Sequence, residues 1–448
     1  MRGGWLTIHG LLIVPFAVLS AGLYGGTLPL PFGVVAVAWH ACALTAALTL
    51  IAAVAPPSLW MQLVRRTGIL PLYALLAAVA AVLAIQASQH LWESTADLTF
   101  RLVRLTLKPL LPALQSNTDT LTLSTQRFSV SVSEKCSGLE GVGLMLGFGA
   151  TWLWYFRREY YFPRALIILP VSMVLVFVMN VLRIAALILI GNAGYPGIAI
   201  VGFHSQAGWI AFNLIALGVA VIAKRSSWMH RRAHAPTATA ENATAAFLMP
   251  LLAILAAGMI AHAMSAGFEL LYPLRWIAAL VTLWVYRKSY ATLDWNFSWR
   301  APATGVLVAV VWIVFGHFLL PPQMRPEALA SLPAAARVAW TSSRFLAAAI
   351  TVPIAEELAY RGYLLRRLVN ADFQSVKFST IRWPALVACA SLFGITHGSM
   401  WLPAILAGLA YGAIAIKTTR IGEACVAHAT TNALLAAAVL LFDQWQFW

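Results

Sequence analysis

Long apolar windows separated by short polar connections run through the whole chain. A bilayer core about 30 Å thick requires roughly 20 apolar residues per spanning helix, and about thirteen windows approach that length. Each is predicted to be a helix, because lipid offers no hydrogen-bond partner to free backbone amides. The predicted spans lie near residues 8–26, 33–55, 69–87, 137–156, 165–190, 204–223, 246–266, 268–286, 303–320, 342–365, 382–398, 400–416 and 421–442.

Composition supports the same prediction. Of the 448 residues, 61% are hydrophobic and 10% are charged, which is typical of a protein embedded in lipid. The formal net charge of +15 lies in short loops between the spans, where it indicates contact with the lipid bilayer. No soluble basic run is interleaved with aromatic residues, so no nucleic-acid partner is expected. The predicted fold class is therefore all-α, a polytopic transmembrane helix bundle.

The positive loops predict the orientation of the chain. Arg65, Arg157 and Lys224 mark three basic loops that fall on one side of the membrane, and the positive-inside rule makes that side and the N-terminus cytoplasmic. Residues 89–135 then form an extracytoplasmic segment. Its end, Phe128 to Glu134, alternates apolar and polar residues as a short β-strand does. Such a strand would deliver Cys136 to the outer mouth of the fourth span.

A polar stretch rich in Arg, His, Thr, Asn and Pro interrupts the apolar pattern near the middle of the chain. This composition is typical of a linker. It predicts a membrane domain at residues 1–225, a cytoplasmic linker at 226–245 and a second membrane domain at 246–448. No convincing repeat relates the two halves.

Three residues of the first half are candidates for one catalytic site. An arginine inside a span costs about 2.5 to 3.5 kcal/mol on insertion scales, so Arg183 indicates a functional site. His204 opens the sixth span and Cys136 opens the fourth, both from the outer side. A thiol requires a base to become a thiolate, and a histidine can act as that base. The oxyanion formed when the thiolate attacks a carbonyl requires a cation, which an arginine supplies. Alternatively, Cys136 and His204 are structural, and Arg183 snorkels or pairs with Glu140.

The segments around these residues resemble the motifs of the exosortases, bacterial membrane proteins linked to exopolysaccharide-associated protein sorting. The resemblance covers residues 1–225. It implies that Cys136 is the nucleophile, His204 the base or acid, and Arg183 the electrostatic stabiliser. It also implies a bacterial inner-membrane location and membrane-anchored protein substrates, whose C-terminal sorting tails carry a short motif, a transmembrane helix and a basic cluster.

The second half carries two adjacent carboxylates inside a span, Glu356 and Glu357. Arg361 follows Glu357 by four residues, so these two can pair on one helix face while Glu356 turns to another. His397 lies near the outer end of its predicted span, and His428 and Asn432 share a face in the inner half of theirs. Such groups suit general-base activation of a water or a metal site. The HExxH spacing of zinc peptidases is missing, and neither a metal nor a cofactor is predicted. A buried polar network that holds the helices together is the structural alternative.

These residues match EExxxR, FxxxH and HxxxN, and residues 246–448 resemble the CPBP family of CAAX-protease-like or Abi intramembrane proteases. The resemblance implies Glu356 or Glu357 as the base, with His397, His428 and Asn432 positioning the water or stabilising the oxyanion. Both motif sets in this order are similar to the exosortase E type fusion, associated with VPEID-CTERM targets.

Three functions stay open at this point. The first is a cysteine protease or transpeptidase that processes PEP-CTERM-like or VPEID-CTERM-like tails, fused to a glutamate-dependent intramembrane protease. The second is a multi-pass transporter, although a transporter would place its polar residues at the junction of two related repeats. The third is an exosortase whose C-terminal half is a non-catalytic module that docks the substrate.

Overall fold

The computed structural model describes residues 2–25, 31–54, 57–69, 72–73, 75–76, 78–79, 83, 92–132, 138–231 and 242–448. The chain divides into two compact units, residues 1–87 and 88–448.

The first unit contains α1 (Arg2–Gly25), α2 (Phe32–Val54) and α3 (Pro57–Thr67). Helices α1 and α2 pack against each other along their length. A hydrogen bond of 2.8 Å from Trp39 Nε1 to Ser20 Oγ joins them. A second contact of 2.9 Å joins His9 Nδ1 to the carbonyl oxygen of Ala46. The polar groups of these apolar helices therefore find partners inside the pair, as lipid requires.

The second unit begins with a small α/β subdomain. It consists of α4 (Trp92–Leu107) and an antiparallel sheet of β1 (Gln115–Asn117), β2 (Thr122–Ser124) and β3 (Ser129–Ser131) in the order β1-β2-β3. Leu123 of β2 pairs with Val130 of β3. The predicted alternation from Phe128 is confirmed as β3, whereas Ser133 to Ser137 lie outside the described residues.

This subdomain is held by one apolar core. Phe100 and Leu107 of α4 and Leu123 of β2 pack against Ile184 and Ile188 of the following long helix. Because that helix also carries Arg183, the core fixes the subdomain close to a predicted site residue.

Three helices follow in the predicted first half. They are α5 (Leu139–Tyr155), α6 (Ile168–Asn192) and α7 (His204–Arg225), and a π-helical turn at Ile198–Phe203 leads directly into α7. A short 3-10 turn at Arg164–Ile167 precedes α6. Helix α6 packs between α5 and α7.

The C-terminal part consists of seven principal helices. They are α8 (Ala243–Ala263), α9 (Pro273–Val285), α10 (Arg300–Leu319), α11 (Ala334–Arg367), α12 (Trp383–Ile395), α13 (Trp401–Thr418) and α14 (Ile421–Phe442). Short helical segments occupy Arg287–Tyr290, Glu327–Ala330, Phe373–Ser375, Phe378–Thr380, Gly398–Met400 and Trp445–Phe447. Helix α11 contains two π-helical stretches, Ala347–Thr351 and Leu358–Leu364. Helix α14 is central, since α10, α11 and α13 all pack against it.

Nine helices in the described part of the chain are long and apolar enough to cross a membrane. Helices α9 and α12, each 13 residues long, are apolar but shorter. The predicted span 137–156 is the 17-residue helix α5, and the predicted span 69–87 falls largely outside the described residues. The polytopic helical bundle with a short strand is confirmed.

The predicted domain boundaries stay a prediction. Residues 232–241 of the expected linker lie outside the described residues. On the two sides of that segment, α8 of the predicted second half packs against α7 and the π-helical turn of the first half.

Two candidate active sites

The first candidate site is a cavity of about 250 Å³ between α5, α6 and α7. Arg183 and His204 both line it, so the structure brings together these two predicted residues. Its polar lining also includes Glu140, Asn180 and Ser205. Cys136, the predicted nucleophile, lies outside the described residues.

Two glycines allow the helices around this cavity to approach closely. Gly138 is the N-cap residue of α5 and has a φ of 87°, and a Cβ there would lie 2.7 Å from Nδ2 of Asn180. A Cβ at Gly208 of α7 would lie 3.0 Å from Nη1 of Arg183. The sequence reading gave no role to either glycine, because such an approach depends on which helix packs opposite.

The entry into α7 is built against the C-terminal end of α8. Gly202, in the π-helical turn, lies where a Cβ would collide with the carbonyl oxygens of His262 and Ser265 and reach that of Ala263 at 2.8 Å. Only a glycine lets the turn pack against this backbone. Because His204 follows two residues later, a contact with the C-terminal part of the chain sets where its helix starts.

The second candidate site is built around a buried carboxylate. Oε1 of Glu357 lies 2.9 Å from Nη1 of Arg361 and 2.9 Å from Nδ1 of His428, and both nitrogens donate to it. Glu357 and Arg361 are 0% and 1% exposed. Arg361 also donates to the carbonyl oxygen of Gly408 at 3.0 Å. The predicted pairing of Glu357 with Arg361 is thus present, and His428 joins it.

Glu356 faces a different environment. Its side chain is 17% exposed and lines a cavity of about 240 Å³. Oε2 of Glu356 lies 3.8 Å from Nε2 of His428, which is too long for a direct hydrogen bond. The two glutamates therefore differ as the spacing predicted, one buried in the ion pair and one facing the cavity.

The other predicted residues line the same cavity. His397 Nδ1 donates to the carbonyl oxygen of Phe393 at 2.7 Å, which leaves Nε2 as its remaining polar atom. Asn432 Nδ2 donates to the carbonyl oxygen of Ala348 at 3.0 Å. Glu356, His397, His428 and Asn432 are therefore gathered around one space.

The expected difference in depth between His397 and His428 is wrong. Both imidazole rings contact the ring of Phe393, with centroids 4.5 and 6.0 Å away. The reason is the length of α12. Its 13 residues rise about 20 Å, which is less than the thickness of the bilayer core, so the helix ends two residues before His397 without completing a full span.

Tyr411 is a site residue that sequence reasoning missed. Its ring stacks on that of His428, with centroids 4.8 Å apart and an interplanar angle of 16°. Its hydroxyl donates to Oγ1 of Thr431 at 2.8 Å. The stacking fixes the plane of the imidazole, while Glu357 fixes the orientation of Nδ1. No local sequence signal marks this contact, which joins α13 to α14.

No group of three His, Cys, Asp or Glu side chains in the described ranges is close enough to hold a metal ion. The expected absence of a metal and of a cofactor stays a prediction.

The fold and the two polar cavities define a polytopic membrane protein with polar sites between its helices. A family model described as transmembrane exosortase (Exosortase_EpsH) matches residues 3–221. Another, described as type II CAAX prenyl endopeptidase Rce1-like, matches residues 338–434. No curated protein and no solved structure matches the chain.

Both resemblances are confirmed by these matches: the chain joins an exosortase-like region to an Rce1-like region. Together with its apolar helices, they support a multi-pass membrane protein that processes other proteins at the membrane.

Proposed function

We propose that the chain carries two peptidase sites. In the first, Cys136 is the nucleophile, His204 the proton acceptor and donor, and Arg183 the stabiliser of the oxyanion. In the second, Glu356 is the general base that activates a water. The two predicted domains, residues 1–225 and 246–448, are joined by the linker at 226–245.

The first site is supported by the cavity shared by Arg183 and His204. Gly138 lines the same cavity, and Cys136 precedes it by two residues, a reach of at most about 7 Å along an extended chain. His204 takes the thiol proton, and the thiolate attacks the carbonyl carbon of the scissile bond. Arg183 stabilises the resulting oxyanion. His204 then protonates the leaving amine, and water or an acceptor amine releases the acyl group from sulfur.

The second site is supported by the unequal environments of its glutamates. The carboxylate of Glu357 accepts hydrogen bonds from Arg361 and His428. Its proposed role is therefore to orient His428 and not to activate water. The 3.8 Å between Glu356 Oε2 and His428 Nε2 suits one water held by both. Glu356 removes a proton from that water as it attacks the peptide carbonyl, and then gives the proton to the leaving amine. The second N–H of Asn432 is the candidate donor to the oxyanion.

The substrates proposed for the first site are membrane-anchored proteins with C-terminal sorting tails of the PEP-CTERM or VPEID-CTERM kind. The N-terminus is placed in the cytoplasm of a bacterial cell and the first site at the outer face of its inner membrane. The hydrogen bond from His428 to Glu357 is the single observation that carries the assignment of the second site, because it separates an orienting glutamate from a catalytic one.

The test is mass spectrometry of a co-expressed tail-bearing protein. Cys136→Ala should abolish removal of the tail, and Glu356→Gln should leave it intact while eliminating a separate cleavage product. Arg101→Gln, which alters an exposed ion pair with Asp97, is the matched control.

Two outcomes would contradict the proposal. Full tail removal by Cys136→Ala would exclude that residue as the nucleophile. An unchanged product pattern in Glu356→Gln would favour a C-terminal half that only docks the substrate.

A further inference from the structure

An arginine that none of the matched motifs includes lies inside α11, the helix that carries both glutamates. Arg344 lines the second cavity together with Ala348, Val352 and Glu356. These residues are spaced by four, so one face of α11 follows the cavity from Arg344 to Glu356. A charged residue within a membrane helix is expensive to insert and is a functional candidate by default. The sequence reading assigned it no role.

Aromatic rings surround the guanidinium of Arg344. Its Cζ lies 4.5 Å from the ring centroid of Tyr272, 5.1 Å from that of Trp448 and 5.6 Å from that of Trp340. All three are within the range of cation–π attraction. The rings hold the cation in place by their faces, which leaves the N–H groups of the guanidinium edge to bind an acceptor.

That acceptor is not provided by the described part of the chain. Arg344 makes no ion pair within 4.0 Å and no hydrogen bond there, in contrast with Arg361, which donates to Glu357 and to the carbonyl oxygen of Gly408. The nearby carboxylate of Glu269 is engaged by Arg275 at 2.6 Å and by His262 at 3.2 Å. The indole N–H of Trp448, which also lines the cavity, is buried without a hydrogen-bond acceptor among the described residues. This end of the cavity therefore presents donors.

The distance along α11 relates Arg344 to Glu356, the proposed base of the second site. Twelve residues separate Arg344 from Glu356, which is at most about 18 Å along the helix. An extended peptide rises about 3.3 Å per residue, so about five residues cover that length. A substrate strand lying along α11 can thus place its scissile bond at Glu356 and an anionic group at Arg344.

We infer that Arg344 binds a carboxylate of the peptide that the second site cleaves and selects bonds within about five residues of that carboxylate. The inference rests on the proposed function of the second site. A planar guanidinium binds a carboxylate through two parallel hydrogen bonds, and a terminal carboxylate or an acidic side chain supplies the same group. Arg344 determines which substrate is bound and takes no part in bond cleavage.

The experiment compares two forms of one labelled apolar hexapeptide, which end in a free carboxylate or in a carboxamide. Binding to the purified full-length protein in detergent is measured by fluorescence anisotropy. The wild type should bind the carboxylate form about tenfold or more tightly than the amide. Arg344→Gln should bring this ratio close to one with unchanged affinity for the amide, and Arg344→Lys should restore part of it. A third peptide with an amidated end and an internal glutamate distinguishes the two sources of the carboxylate.

Arg337→Gln is the matched control, since Arg337, like Arg344, is a half-buried arginine of the same helix, but it does not line the cavity. It should retain the wild-type ratio. Because the ratio compares two ligands on one protein, a partial loss of folded protein does not change it. Equal binding, or no binding, of the two forms by the wild type would overturn the inference, as would an unchanged ratio in Arg344→Gln.

A second arm uses nanodiscs with and without phosphatidylglycerol. If Arg344→Gln alters only the dependence on this anionic lipid, the site binds a lipid phosphate and the inference is wrong. Cleavage by Glu356→Gln is measured separately. If Glu356→Gln loses cleavage but the wild type binds the carboxylate and amide peptides equally, the role of Arg344 is rejected and the proposed function stands. If the wild type prefers the carboxylate peptide but Glu356→Gln cleaves as well as the wild type, the proposed function of the second site is rejected and the role of Arg344 in binding stands.

Discussion

Oε1 of Glu357 and Nδ1 of His428 are 2.9 Å apart, and the same oxygen accepts a hydrogen bond from Arg361. The other oxygen, Oε2, is buried and has no hydrogen-bond partner among the described residues. One carboxylate therefore connects α11 to α14 with a single oxygen. The arrangement gives Glu357 a structural importance that Glu356, on the cavity wall, does not share.

This difference predicts unequal effects of the two glutamates on stability. Glu357→Ala leaves the buried charge of Arg361 without its partner, and breaking a buried ion pair costs about 3–5 kcal/mol. Glu356→Gln removes no contact shorter than 3.8 Å to His428, so its free energy of unfolding should stay within about 0.5 kcal/mol of the wild type. Unfolding by SDS titration in mixed micelles measures both. Equal destabilisation by the two variants would contradict the assignment of an orienting and a catalytic glutamate.

Tyr411 is predicted to act through the position of His428. Tyr411→Phe keeps the stacked ring and loses the hydrogen bond to Thr431, so it should cost about 1 kcal/mol of stability and little activity. Tyr411→Ala removes the stacking surface and should lower the yield of the second product at least about tenfold, since small errors in position slow catalysis strongly. Quantitative mass spectrometry of that product checks both. Equal activity of the Phe and Ala variants would show that stacking is not required.

The fold could be predicted where the signal is local. Uninterrupted apolar windows identified the long helices, and alternation from Phe128 identified β3. Helix α4 was missed, although Ala96, Phe100, Val103 and Leu107 are buried at helical spacing. An extracytoplasmic segment that ends in a short strand was expected there, and no helix was predicted. Strand β1 contains no apolar residue and so has no such pattern, whereas β2 alternates through Leu121, Thr122, Leu123 and Ser124 and was missed. Both strands pair in one sheet with β3, and Leu123 packs in the core with α4.

The candidate sites show the same limit. The motif spacings identified Glu357 with Arg361, because both lie on one helix. The charges of the loops predicted that Arg183 and His204 lie on one side of the membrane, and both residues line one cavity. Tyr411, Arg344 and the glycines at 202 and 208 have roles only through residues far away in sequence. Those contacts depend on tertiary packing, which cannot be derived from local patterns in a single sequence.

Gly202 is predicted to connect the first site to the C-terminal part of the chain. Gly202→Val introduces a side chain against the backbone of residues 262–265, which cannot move aside as a side chain can. Overpacking of this kind costs about 1–3 kcal/mol and should displace the start of α7 with His204. Tail removal should fall at least about tenfold. Gly218→Ala, within α7 and with nothing within 4 Å of its Cβ, is the control. Full tail removal by a stably expressed Gly202→Val would show that the contact is not required.

Gly208→Ala provides a finer test of Arg183 as the oxyanion stabiliser. The new methyl group would lie 3.0 Å from Nη1 of Arg183, so the flexible end of the arginine must shift by a few tenths of an ångström. Alanine in place of glycine favours a helix interior by roughly 0.5–1 kcal/mol, so the protein should be as stable as the wild type or more so. Tail removal should nevertheless fall about tenfold, because the guanidinium no longer meets the developing charge in the same position.

Gly218→Ala gains the same helix propensity on the same helix without touching Arg183, and it should process the tail at the wild-type rate. Stability is read from SDS-titrated unfolding and processing from mass spectrometry of the tail-bearing substrate. If both alanine variants process the tail equally well, the position of the Arg183 guanidinium does not limit the reaction, and its assigned role fails.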